Sequence, residues 1–437
     1  MTEIHTSADT ISDVGGSMYS LMAELYPICR SITGNGVRQS LAILNRHVPI
    51  AVHEIATGTK VFDWTVPKEW NIRDAYVKNS RGEKVIDFRR SNLHVVSYSI
   101  PVHKTLPLAE LKQHLFSLPD HPDWIPHRTT YYAESWGFCL SHNALAALDD
   151  GNYEVRVDSS LEPGHLTYGE CYLRGATAEE VLVSCHICHP SLCNDNLSGM
   201  ALATFLAKYL ANITLRYSYR FLFIPATIGS VTWLQLNRRQ VERIRHGLVV
   251  ACVGDSGCLT YKRSRRGTAE IDGAVAHVLK HSGQSYQILD FSPDGYDERQ
   301  YCSPGFDLPV GSLMRTQYGR YPEYHTSADN LDLVRPAYLA DTLSVYLAVI
   351  NVLENNRVYQ NTNPFCEPQL GRRGLYGSLG GKKEANRHET ALLWVLNYAD
   401  GCHTLLDIAD RSGLEFTVIK SAADALHTHG LLAEVRS

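Results

Sequence analysis

The stretch Val181-Leu-Val-Ser-Cys-His-Ile-Cys-His-Pro-Ser-Leu-Cys-Asn-Asp-Asn-Leu-Ser-Gly199 decides the fold of this chain. An apolar run at 181–183 has the length and composition of a buried strand and leads into two histidines, His186 and His189. A short polar loop then carries Asp195. From Leu197 the period becomes helical, with Met200, Leu202, Phe205, Leu206, Tyr209 and Leu210 mostly three or four residues apart. A strand, a His/Asp loop and a buried helix is how an α/β fold presents metal ligands at the carboxyl edge of its sheet. Cys185, Cys188 and Cys193 crowd the same stretch and include a Cys-x-x-Cys. A zinc ribbon needs a second pair at suitable spacing, which Cys252 and Cys258 do not supply, so these thiols read as small buried residues.

The chain's 437 residues exceed one ordinary core and predict two or three domains. A net charge of −5 gives no reason to expect a large nucleic-acid surface. No uninterrupted apolar run approaches the roughly 20 residues that span a bilayer, so no membrane role is expected. The first residues lack a basic region followed by an apolar one. With eleven cysteines spread over the whole length, this predicts reduced thiols and a cytoplasmic location.

Outward from the opening stretch, residues 16–47 read as two helices broken at Gly34-Asn-Gly36, with Arg30 and Ser31 in a polar joint that could face a site. Residues 50–175 alternate short strand-like pieces (51–55, 75–78, 93–98) with Pro, Gly and Asp turns, and hold Trp64, Trp70, Trp124 and Trp136 beside Tyr131 and Tyr132. This segment reads as an inserted β-rich module, its aromatics chiefly core and alternatively a carbohydrate or peptide platform. From 176 to about 360, strands at 181–185, 219–224, 247–253, 286–289 and 310–313 alternate with helices at 197–210, 231–244, 269–281 and 336–354. With residues 1–49 this is the α/β domain. A Gly-rich segment from Leu375 to Lys383 marks a boundary. The tail, 375–437, reads as helix, short helix, turn, helix and strand, a winged helix-turn-helix. Its six Lys/Arg against eight Asp/Glu over 382–437 disfavour DNA and favour a packing or partner-binding role.

Three segments gather the polar groups of interest. They are His186 to Gly199, then Gly254-Asp255-Ser-Gly257, and then 294–330, with Asp297-Glu298-Arg299 and Tyr324-His325-Thr-Ser-Ala-Asp329. In these marks, and in Pro225-Ala-Thr-Ile-Gly-Ser230, the chain resembles the zinc-dependent aminopeptidase clan that includes the M28 peptidases. It resembles more closely the bacterial aminopeptidase-like domain family of the DUF4910/DUF2172 type, with an inserted β-rich module and a C-terminal winged helix. The resemblance implies a zinc-exopeptidase-like mixed sheet flanked by helices. It also implies His186, Asp195 and His325 as ligands of zinc, with His189 able to replace or assist His186. It places such proteins alongside polysaccharide biosynthesis.

Two departures stand out. Active M28 enzymes carry a Glu-Glu pair where this chain reads Ala226-Thr-Ile-Gly229, and their further aspartate falls on Cys252, with Asp255 three residues on. One zinc ion is therefore expected rather than two. Glu298, with Asp297, is expected to supply the catalytic acid or base, and Arg299 and Tyr324 to bind substrate. The expected function is hydrolysis of a peptide or other amide bond in a small substrate. The alternatives are a non-catalytic metal-containing scaffold and, more remotely, a winged-helix regulator. Expected partners beyond the substrate are a second copy or another protein, met through the β-rich module or the winged helix.

Overall fold

The computed structural model describes residues 8–376 and 383–435. The chain divides into two compact units, residues 1–267 with 285–344, and residues 268–284 with 345–437.

In the first unit eight strands share one sheet: β1 (Ala51–Ala56), β2 (His165–Leu173), β3 (Glu180–His186), β4 (Ser218–Ile224), β5 (Ile244–Val250), β6 (Leu259–Lys262), β7 (Tyr286–Leu289) and β8 (Val310–Met314). Their order is β1-β2-β4-β3-β5-β8-β6-β7. The four central strands, β4, β3, β5 and β8, run parallel, so their carboxyl ends lie along one edge. β2 pairs antiparallel with β4, β1 with β2, and β6 with β8. Every residue of β3 and β4 is buried, which is why both read as continuous rather than alternating apolar runs. Among their polar residues is Glu180, whose buried carboxylate accepts two hydrogen bonds from the Arg220 guanidinium on the neighbouring strand, at 2.7 and 2.9 Å. The helix Gly199–Leu210 follows β3 and buries all but Lys208 and Tyr209.

Several boundaries differ from the sequence expectations. The helix expected over 231–244 is Ile228–Leu236 plus a short turn, Arg238–Val241. Asn237 ends the first piece by leaving helical geometry (φ −120°, ψ 39°) while its side chain donates to the Trp233 carbonyl. β5 consequently begins at Ile244. β6 was not expected, because its four residues end in a lysine, yet all four are buried. The piece at 93–98 is no strand: Ser91 caps a single 3-10 turn, Asn92–His94.

The segment 50–175 contributes β1 and β2 to the large sheet and builds between them a separate four-stranded antiparallel sheet, in the order Lys84–Asp87, Glu69–Lys78, Asn152–Glu162, Val102–Pro107. β1 is an exposed edge strand and β2 joins the sheet antiparallel, so neither carries the continuous apolar run of the central strands and the sequence could not divide them from a separate β module. Trp70 and Trp136 are buried there, whereas Trp64 is 48% exposed.

In the second unit the helices Lys383–Tyr398, Leu405–Ser412 and Phe416–Thr428 precede the strand Leu432–Glu434. A three-stranded sheet joins this strand and Asp400–Thr404 to Val358–Asn361. The winged-helix unit therefore starts upstream of residue 375, and residues 377–382 of the Gly-rich boundary segment lie outside the described residues. Thr404 and Asp407 form a reciprocal cap on the second helix, and Gly413 closes it at φ 69°. The helix Glu270–His281 belongs to this unit: His277 Nδ1 lies 2.7 Å from Asp410, and its Nε2 accepts the Phe416 backbone N–H at 3.0 Å. One helix, Pro336–Asn355, does reach the length and mean hydropathy of a membrane span despite Asp341. Within the folded chain 61% of its most apolar window is buried.

Candidate metal centre

The carboxyl edge of the parallel strands carries the site. His186 is the last residue of β3 and is 1% exposed. Asp195 sits in the irregular turn Cys193–Ser198 just before the helix Gly199–Leu210, with no exposure at all. His325 arrives in the loop after β8 and is about one-third exposed.

These three meet on one carboxylate. His186 Nε2 lies 2.8 Å from Asp195 Oδ1, and His325 Nε2 lies 3.0 Å from Asp195 Oδ2. His189 Nε2 is 4.0 Å from Oδ2. His186, His189 and Asp195 each bring a ligand atom within 4.8 Å of the others. His189 thus stays within reach of the site, because Pro190 turns the chain without removing the imidazole.

The neighbours fix this geometry. Asn196 donates to His186 Nδ1 and to the His186 and Val250 carbonyls at 3.0–3.3 Å, tying the β3 end to the β5 end. The Arg30 guanidinium, 1% exposed, donates to the His189 and Pro190 carbonyls at 2.8 and 2.9 Å. The polar joint of the first helices therefore acts as a clamp on the ligand loop rather than facing a substrate. Asp329, the aspartate after Tyr324-His325, accepts the Asn194 and Asp195 backbone N–H groups at 2.5 and 3.0 Å. Tyr296 donates to Asp195 Oδ1 at 2.7 Å and stacks on His186.

Burial raises the cost of charge on Asp195, but the imidazoles of His189 and His186 outweigh it and hold the carboxyl well below its usual range. Burial likewise pushes His189 well below the usual histidine value, so its ring is neutral with a lone pair to offer. His189 Nδ1 and both ring nitrogens of His127 are buried with no hydrogen-bond partner among the described residues. His127 belongs to the 50–175 segment, yet its ring lies 5.4 Å from His189 and 5.3 Å from His325. Its backbone N–H donates to the His325 carbonyl at 2.7 Å, and Pro126 bridges Thr326. That contact helps hold His325 at φ 56°, a conformation a histidine rarely adopts. Sequence reading missed His127 because a lone histidine between Pro126 and Arg128 carries no motif.

A buried carboxylate among imidazoles, with unpartnered ring nitrogens beside it, matches the donor set of a zinc site. His186, His189, Asp195 and His325 are the residues that would hold the ion. Cys252 lies 3.9 and 3.7 Å from the Tyr296 and Tyr321 hydroxyls, and Asp255 accepts from Asn194 at 2.7 Å and from Thr316 at 2.7 Å. Both are engaged in supporting the loops.

The carboxylates expected to carry protons separate clearly. Glu298 Oε1 pairs with Lys262 Nζ at 3.0 Å, with both side chains buried. Asp297 instead takes a hydrogen bond from Ser230 at 2.7 Å through Oδ1, and its Oδ2, like Glu298 Oε2, has no hydrogen-bond partner among the described residues. Burial pushes its pKa up to about 6. Ser230 directly follows the place where the clan carries its Glu-Glu pair. Arg299 is exposed, and Tyr324 stacks on His325 at 4.0 Å.

Residues 19–356 match the family described as a domain of unknown function, DUF4910, and residues 357–434 match a winged helix-turn-helix family. The chain belongs to the DUF4910 family. A Clostridium acetobutylicum protein named for polysaccharide biosynthesis and an aminopeptidase-like domain is 57% identical over 99% of both chains. A crystal structure of a candidate peptidase from Clostridium acetobutylicum is 56% identical and superposes at a TM-score of 0.93 over 98% of each chain. A zinc aminopeptidase from Bacillus subtilis shares only 12% identity, but superposes at 0.58 over 80% of this chain and 96% of its own. An aminopeptidase-like fold is thereby shown, with the winged helix appended.

Proposed function

We propose that this chain is a metal-dependent, peptidase-like hydrolase that cleaves an amide bond in a small substrate. The observation that carries the reading is the single buried carboxylate of Asp195, faced by the Nε2 atoms of His186 and His325 at 2.8 and 3.0 Å with His189 behind them. Zinc in such a donor set supplies Lewis acidity toward a carbonyl and toward water. The chain's own contribution to proton movement is Asp297, a buried carboxyl near neutrality with one oxygen free. Glu298, the first choice from sequence, is better suited to neutralising Lys262. Exposed Arg299, next in sequence, is available for a substrate carboxylate, and Tyr324 lines the approach to His325. The name of the Clostridium relative supports an amide borne on a glycan precursor as substrate.

One observation favours a non-catalytic metal-containing scaffold instead: no carboxylate stands at 226–229. Turnover decides between the two. Zinc-loaded protein is screened against aminoacyl amides and N-acylated sugars, with Asp297→Asn and Asp195→Asn beside it. Hydrolysis lost in both variants supports the enzyme. Absence of turnover across the panel, or full turnover in Asp297→Asn, overturns the mechanism.

A further inference from the structure

Outside the metal centre, the first unit has a cavity of about 310 Å³ between the hairpin that carries Phe62 and Trp64, the helix Ile228–Leu236 and the segment 300–306. That volume lies at the lower end of small-molecule sites, about 300–1,000 Å³. Its rim is aromatic and open to solvent. Phe62 is 45% exposed and Trp64 48%, and Tyr132, 53% exposed, packs on Trp64 at 5.4 Å between ring centroids. Aromatics placed like this add little to the core, unlike Trp70 and Trp136 of the same segment.

Polar groups stand among the rings. The Arg238 guanidinium lies 4.9 Å from the centroids of both Phe62 and Phe306, held between the two rings. Asp63, Gln300 and Ser303 also line the cavity, and none of these three side chains makes a hydrogen bond among the described residues. One guanidinium and one carboxylate leave the site formally neutral. A phosphate would meet Asp63, and a lipid chain would leave four polar side chains facing it.

We infer that this cavity is a saccharide subsite, taking a neutral pyranose whose C–H face lies on Trp64 and whose hydroxyls meet Asp63, Arg238, Gln300 and Ser303. A pyranose has an apolar face and a rim of hydroxyls that donate and accept, the complement of this lining. The helix Ile228–Leu236 at the wall also contacts Asp297, since Ser230, one residue before Val231 of the lining, donates to its carboxylate. The inference does not require the metal centre to be catalytic, because it concerns binding alone.

The test uses the full chain with EDTA present, so that metal chemistry cannot contribute. N,N′-diacetylchitobiose and cellobiose are titrated by calorimetry and by saturation-transfer difference NMR, with inorganic phosphate as the charged control. Saturable binding of at least one disaccharide is expected, weakened about tenfold by Trp64→Ala and by Arg238→Ala. Both residues are exposed and neither belongs to the metal centre, and circular dichroism of the variants checks their folding. No saturable binding of either sugar, equal binding by Trp64→Ala, or preference for phosphate overturns the inference.

Discussion

Replacing Glu298 by glutamine separates a structural from a catalytic role for the first carboxylate that the sequence singles out. Lys262 Nζ has three partners: Glu298 Oε1 at 3.0 Å, the Tyr318 hydroxyl at 3.0 Å and the Asp294 carbonyl. Glu298 is its closest charge partner, the exposed Asp294 carboxylate lying 3.9 Å away, and the lysine and glutamate side chains are 1% and 0% exposed. Burial alone would lower the lysine pKa, but the Glu298 charge reverses the sign and leaves it raised. Glu298→Gln keeps the shape and removes the charge, so the buried ammonium is left with neutral hydrogen-bond partners and only the exposed Asp294 carboxylate at 3.9 Å. Breaking a buried pair in this way costs about 3–5 kcal/mol. Substituting both residues, Lys262→Met with Glu298→Leu, recovers most of that loss, since the pair itself contributes little beyond its own desolvation. Urea denaturation followed by tryptophan fluorescence reads the effect, because five of the six tryptophans lie in the first unit. A Glu298→Gln protein within about 1 kcal/mol of wild type, far inside the cost of a broken buried pair, refutes the structural assignment.

Two further outcomes follow from the same geometry. Arg30→Lys cannot span the His189 and Pro190 carbonyls, so chelator-competition titration should show metal affinity about 10–100-fold weaker. The Asp297 carboxyl is raised from 3.8 to about 6 by burial, so it favours the folded state below about pH 4 and loses that contribution as pH rises through 6. Metal-free Asp297→Asn should therefore gain about 3 kcal/mol relative to wild type between pH 4 and 7, measured by urea titration at each pH. A constant difference across that range contradicts the shift.

Much of the fold was legible because the central strands are buried on both faces and write their position as apolar runs, and because the tail carries its caps at Thr404 and Gly413. β1 and β2 belong to the large sheet rather than to a separate β module, and the sequence hides this because antiparallel strands of mixed composition look alike in either sheet. β6 escaped because a buried lysine contradicts the pattern until its partner, 36 residues on, is known. Within the site, His186, Asp195 and His325 could be picked out by motif. His127 could not, since only the folded chain brings Pro126 against Thr326. The choice between Asp297 and Glu298 was equally hidden, because adjacent residues at a helix start point in different directions and the sequence does not say which one meets a lysine.

The central claim is that Asp195 and its surrounding imidazoles hold a metal ion. The direct measurement is zinc content by inductively coupled plasma mass spectrometry on protein purified without chelator, for wild type, Asp195→Asn and His186→Ala. The predicted result is near one zinc per wild-type chain and a small fraction of that in both variants, with unchanged circular dichroism. Zinc absent from wild type after loading, or retained in full by both variants, contradicts it.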